Sequence, residues 1–141
     1  MSGRLLLTVL AIALVSAACT SAAAQPPGPS AAPAAAIAVD LSEWHVVVSR
    51  STLQTGSLTF VVRNAGSIAH DLTILKTDLP ADQLPQESGK AREDGKVAGT
   101  VALDPGQSAQ LLVTLQPGNY VFICNEVGHY ALGMHTAVKV G

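Results

Sequence analysis

From Ile37 to Gly141 the sequence predicts an all-β domain, a Greek-key sandwich of two sheets and about eight strands. Three observations carry that reading. The segment is rich in β-branched residues, it holds no long stretch of helical periodicity, and it is punctuated by turn signals at Gln54-Thr-Gly56, Asn64-Ala-Gly66, Asp104-Pro-Gly106 and Gln116-Pro-Gly118.

The turns divide the segment into strands in order. Ile37 to Leu41 and His45 to Val48 come first, followed by Leu58 to Asn64 between two glycine turns and His70 to Lys76 after the second. Lys96 to Val101, Ser108 to Leu115, Asn119 to Cys124 and His135 to Val140 complete the set. Along Asn119 to Cys124, alternation puts Tyr120, Phe122 and Cys124 on one face and Val121 and Ile123 on the other. Both faces are apolar, so this strand is expected inside its sheet rather than at an edge. Between Thr77 and Gly95 the chain is polar and is expected as a surface excursion with room for one helical turn, its charges facing solvent. About 105 residues suffice for a single domain with its own core.

The residues before this domain read as processing and tethering sequence. Arg4 precedes an apolar run from Leu5 to Val15, too short for a permanent membrane span, and Ser16-Ala17-Ala18 supplies a small-residue exit, so residues 1–18 are expected to be an export signal. Cleavage after Ala18 or Ala24 competes with lipoprotein processing that leaves Cys19 as an acylated N-terminus. Cys19 follows the apolar run directly, although Ser16 stands where lipoprotein signals usually carry an aliphatic residue. The balance favours lipidation of Cys19 and an extracytoplasmic domain, periplasmic or on the cell surface. Residues 19–36 then form a linker, after Cys19 and Thr20 made of Ala, Pro, Ser and Gly with one Gln and no charge, able to reach roughly 50 Å at about 3.1 Å per residue.

Charge and cysteine content narrow the function. The chain has a formal net charge of −2, or −3 once Arg4 is lost with the leader, which argues against a nucleic-acid partner. Only Cys19 and Cys124 exist, and the first lies in the processing region, so no disulfide is expected within the domain. An unpaired thiol in an oxidising compartment calls for something to occupy it, and metal ligation is one such use.

That thiol sits in the segment Tyr120-Val-Phe122-Ile-Cys124-Asn-Glu-Val-Gly-His129-Tyr-Ala-Leu-Gly-Met134, with the spacing Cys-x4-His-x4-Met. A thiolate, an imidazole and a thioether, joined by one more His, make the trigonal His2Cys set with a weak axial Met that suits one-electron copper chemistry. Gly128 and Gly133 precede His129 and Met134, permitting unusual backbone angles beside a metal. The fourth donor is expected from His70 in Asn64-Ala-Gly66-Ser-Ile-Ala-His70-Asp71. Met134 is the only methionine besides Met1. Taken singly, each residue has a plainer use: Cys124 as a small buried hydrophobe, Met134 as core filler, His70 as a structural imidazole. His45 reads as a strand surface residue and His135 as a rim residue, neither as a ligand.

Together the two segments resemble the cupredoxins, the blue copper proteins of the plastocyanin and azurin superfamily, with loop spacing like that of rusticyanin, auracyanin and sulfocyanin. The resemblance extends over about Val39 to Val140. It implies one copper per domain, held by His70, Cys124, His129 and Met134. It further implies that the backbone N–H of Asp71 points at the Cys124 sulfur, with Glu126 as a second donor. The Asp71 carboxylate is implied to tie to the loop near Asn125, and Asn64 belongs to the same supporting set. Val127 stands where relatives often carry Pro, and Glu126 is more polar than usual there, so loop rigidity and reduction potential are left open.

The implied function is electron transfer rather than catalysis, in a monomer that docks with redox proteins such as a cytochrome or terminal oxidase. His129, ringed by Tyr130, Ala131, Leu132 and Gly133, would be the electron port. A multicopper oxidase would need a His-Cys-His cluster and further His pairs, a dinuclear centre a second loop Cys, and a copper nitrite reductase a second domain and copper centre; zinc gains little from a thioether. The competing reading is an exported carrier that delivers copper, for which accessible or Met-rich ligands are expected.

Overall fold

The computed structural model describes residues 36–141; the expected export signal, Cys19 and nearly all of the expected linker lie outside the described residues. Two sheets contain nine of the strands found among the described residues. The first is built from β1 (Ile37–Ser42), β2 (His45–Val48), β4 (Gly56–Asn64) and β9 (Ser108–Leu115), in the order β2-β1-β4-β9. The second comprises β3 (Thr52–Leu53), β5 (Thr73–Lys76), β8 (Lys96–Gly99), β10 (Gly118–Ile123) and β11 (His135–Val140), in the order β3-β11-β10-β5-β8. Among the described residues no helix forms.

Side-chain alternation aims each strand. In β1, Ile37, Val39 and Leu41 are buried while Ala38 and Asp40 face solvent, and in β4, Leu58, Phe60, Val62 and Asn64 point inward. Across the sandwich they meet Tyr120, Phe122 and Val138 of the second sheet. Phe60 and Phe122 pack edge to face with centroids 5.5 Å apart, at an angle that aromatic pairs favour. As expected, β10 is internal, between β11 and β5, and both its faces are buried.

The outer face of β10 is covered by the excursion that the sequence suggested was merely solvated. Val121 and Ile123 form a second apolar cluster with Leu75, Leu84, Ala91 and Tyr130, so Leu84 and Ala91 are lids over the sheet. In place of a helical turn there is a hairpin, β6 (Gln86–Glu87) with β7 (Lys90–Ala91), closed by Ser88 at φ 52° and Gly89 at φ 79°. Two consecutive left-handed residues give the twist of a tight two-residue hairpin.

Among the described residues there are thus eleven strands where about eight were expected. The additions, β3, β6 and β7, are two residues each and leave no periodic signal; β3 exists only because it pairs in parallel with the end of β11. The strand expected from His70 begins at Thr73 instead, and His70 makes an isolated bridge to Leu103. β10 stops at Ile123, which leaves Cys124 as the first residue of the loop.

The parallel pairing of β1 with β4 has a consequence for the site. Its register sets Leu41 beside Asn64, so the turn after β1, Glu43-Trp44, runs alongside the turn that leads to His70.

Candidate metal centre

His70 is placed by a turn that Asn64 organises. The fully buried Asn64 amide donates to the carbonyls of Ile68 and Leu103, both at 2.7 Å, and its oxygen accepts from Gly66 N–H at 2.9 Å. The His70 backbone is then fastened to Leu103 in both directions, at 3.1 and 2.8 Å. Three side-chain bonds and a two-way backbone bridge fix the stretch of backbone from which the imidazole projects, so the ligand is presented from a firm base.

The loop after β10 is closed on itself. Cys124 N–H donates to the Met134 carbonyl at 3.0 Å and Met134 N–H to the His129 carbonyl at 3.1 Å, so the three loop donors are tied through their own backbone. Gly128 at φ 85° and Gly133 at φ 112° take left-handed angles at the two positions where a glycine was expected to permit them. Cys124, His70 and Met134 are fully buried, whereas His129 is partly exposed.

These elements bring His70, Cys124 and His129 together. Nδ1 of His70 lies 3.1 Å from Nδ1 of His129, the Cys124 sulfur lies 3.3 Å from His129 Nδ1, and that sulfur lies 3.7 Å from His70 Nδ1. A triangle of those sides has a circumradius of about 2.0 Å, so one point is equidistant from all three donors at about the bond length of a first-row metal to imidazole, roughly 2.0–2.1 Å. The donor set and its spacing therefore fit a mononuclear metal ion. Met134 completes it from the same buried cluster as Cys124. Thiolate, two imidazoles and a thioether are the arrangement of type 1 copper.

Groups around the donors tune the sulfur and brace the loop. Asp71 N–H lies 3.4 Å from Cys124 Sγ, and the Asp71 carboxylate accepts from Asn125 N–H at 2.6 Å. In the metal-free chain burial pushes the Cys124 thiol up to about 12, with the N–H groups of Glu126 and Asp71 pulling the other way. Burial, and then the neighbouring His129, push His70 down from the ordinary histidine value. Without metal the buried donors are therefore neutral, a thiol and an unprotonated imidazole, and a cation entering the site displaces the thiol proton.

Several supporting contacts were not expected from the sequence. Asn125, expected near Asp71, also holds the excursion: its amide oxygen accepts from Ala91 N–H at 2.8 Å and its amide nitrogen donates to Ala91 O and Glu93 Oε1, each at 3.0 Å. Gly128 N–H donates to Gly89 O at 2.8 Å, and the Tyr130 hydroxyl donates to Ala81 O while accepting from Leu84 N–H, both at 2.8 Å. Tyr130 thus points inward, 2 % exposed, and is no part of a surface ring around His129; Ala131 and Leu132 are exposed. The Ser88-Gly89 dipeptide was the available signal for this hairpin. Glu43 and Trp44 were missed as well. The Glu43 carboxylate accepts from Ser67 N–H at 2.7 Å and Ile68 N–H at 3.0 Å, and the Trp44 ring packs edge-on against His129 at 5.2 Å. His45 is exposed and His135 partly exposed; neither belongs to the donor cluster. A surface cavity of about 300 Å³ lined by Asp78, Asn119 and Lys139 holds none of the four donors.

Comparison with known proteins agrees with this geometry. Residues 37–141 match the family described as copper binding proteins, plastocyanin/azurin family. No curated protein matches the chain in a sequence search. Among solved structures, dithionite-reduced auracyanin from Roseiflexus castenholzii is 24% identical with a TM-score of 0.56, over 78% of this chain and 99% of that one. Auracyanin A from Chloroflexus aurantiacus is 16% identical with a TM-score of 0.55, over 75% and 98%. Rusticyanin from Thiobacillus ferrooxidans is 19% identical with a TM-score of 0.51, over 75% and 76%. At such identities the solved structures speak for the fold, and the family match over the whole described domain speaks for the metal. The chain belongs to the copper-binding plastocyanin/azurin family, the cupredoxins, and copper is the metal of its His70, Cys124, His129 and Met134 site.

Proposed function

We propose that this protein is an exported blue copper electron carrier that passes single electrons between redox proteins, such as a cytochrome and a terminal oxidase, and catalyses no reaction of its own. The observation that supports it best is the donor triangle. Three donors stand about 2.0 Å from a common point, on segments whose backbone is held by hydrogen bonds. Copper, when bound, supplies a one-electron couple between its two common oxidation states.

The chain's own residues do the rest. Full burial of His70, Cys124 and Met134 keeps water away from the site. The backbone links among Cys124, His129 and Met134 keep the donors in place whatever the charge at their centre, which keeps reorganisation small. His129 is the partly exposed donor, and with Leu132 at 54% exposed beside it on the loop it is the natural contact for a docking partner. Lipidated Cys19 and the linker of residues 19–36 would hold the domain near a membrane while leaving it free to reach partners.

The experiment sets electron transfer against metal delivery. Copper-loaded protein is mixed with a reduced c-type cytochrome in the presence of a strong copper chelator. Reversible reduction and reoxidation with copper retained supports the carrier. Transfer of copper to the chelator before any electron transfer would overturn it in favour of a copper-delivery protein.

A further inference from the structure

The outer nitrogen of His70 has no role in the donor triangle. Its Nδ1 faces Cys124 and His129, so Nε2 points away from the metal position; the residue is 0% exposed, and Nε2 makes no well-formed hydrogen bond among the described residues. A buried ring N–H without an acceptor is costly, of order 1–3 kcal/mol. One group stands within reach. Oε1 of Glu43 lies 3.5 Å from His70 Nε2, a long contact that suits an N–H directed at a carboxylate.

Glu43 is not there by accident of a mobile surface side chain. The same Oε1 accepts from Ser67 N–H at 2.7 Å, Ser67 Oγ at 3.1 Å and Ile68 N–H at 3.0 Å, which pins it to the turn that carries His70. Gly66 makes room for it: a Cβ there would come within 2.7 Å of the carboxylate. The neighbouring Trp44 packs on His129, so a single turn between β1 and β2 touches both imidazoles of the site.

We infer that Glu43 is a positioning residue of the copper site, its carboxylate taking the Nε2–H of His70 to fix the ring's tautomer and orientation and to lower the reduction potential. The inference rests on the copper reading of the site. A carboxylate behind a ligating imidazole makes the ring a stronger donor, and a stronger donor favours the more highly charged metal ion. The anion therefore supports Cu(II) more than Cu(I). Removing its charge while keeping its shape should weaken Cu(II) more than Cu(I) and raise the potential.

Two measurements on the full-length protein test this. In the metal-free wild type, long-range proton–nitrogen NMR correlations of His70 should show the Nε2–H tautomer, with Nδ1 unprotonated; a proton on Nδ1 would overturn the inference without reference to copper. In the copper-loaded protein, Glu43→Gln should keep the wild-type thermal midpoint of the metal-free form closely enough to show a folded domain, since an amide oxygen still accepts from Ser67 and Ile68. It should bind Cu(II) about 10–100-fold more weakly and show a higher reduction potential. An unchanged or lower potential in a folded variant overturns the role of Glu43. A wild type lacking the thiolate–copper band would instead overturn the copper reading, leaving the tautomer result to decide the contact.

Discussion

Asn125→Ala tests whether the excursion is a structural brace of the metal loop. Asn125 is 3% exposed, and its side chain makes three hydrogen bonds, two to Ala91 backbone groups and one to Glu93. Each neutral bond contributes about 0.5–1.5 kcal/mol net, and the bond to the Glu93 carboxylate is partly solvated and adds less than a buried one would. Ala91 is itself 3% exposed, so water cannot easily replace the lost amide. The expected loss is about 2–4 kcal/mol, equivalent to roughly 10–25 °C in the midpoint of a domain of this size. Urea unfolding of the metal-free protein, followed by circular dichroism, measures it. The bond to the Asp71 carboxylate comes from the backbone N–H of Asn125 and survives the substitution, so the variant should still bind copper with the same spectrum. A loss under about 0.5 kcal/mol would refute the argument that this amide joins the excursion to the loop.

Further outcomes follow from burial. The folded Cys124 thiol titrates near 12 against an ordinary 9.0, so in alkali the unfolded chain ionises first and metal-free stability should fall as pH rises from about 9 to 12. Cys124→Ser should flatten that fall in the same urea titrations, and an unaltered slope would show that another group is responsible. Phe60→Leu removes the edge-to-face partner of Phe122 at the centre of the sandwich and should cost about 1–3 kcal/mol by urea unfolding, with a loss under about 0.5 kcal/mol contradicting the packing described.

The parts of this protein that sequence revealed are those encoded locally. Cys124, His129 and Met134 share one loop, so their spacing is visible in a single stretch, and His70 follows a glycine turn whose Asn64 side chain organises it. The long strands carry their own alternation, as in β1 and β4. What stayed hidden depends on distant pairing. Glu43 reaches Ser67 and His70 only because β1 lies parallel to β4 in the register that places Leu41 beside Asn64, and nothing near Glu43 in sequence announces that. The 77–95 excursion reads as a solvated surface because only Leu84 and Ala91 turn fully inward, too few to make a pattern, while its ties to Asn125, Gly128 and Tyr130 run, apart from the one through Glu93, through backbone groups that composition cannot show. Tyr130 was placed on the rim for the same reason: its hydroxyl has partners in a segment about 50 residues away.

Adding one equivalent of Cu(II) to the protein and recording visible absorption and electron paramagnetic resonance shows whether Cys124 binds a single copper that cycles one electron. The expected result is an intense blue or green thiolate-to-copper band with narrow copper hyperfine splitting, bleached by reduction, restored by reoxidation, and absent in Cys124→Ser. A colourless or tetragonal Cu(II) centre in the wild type would contradict it.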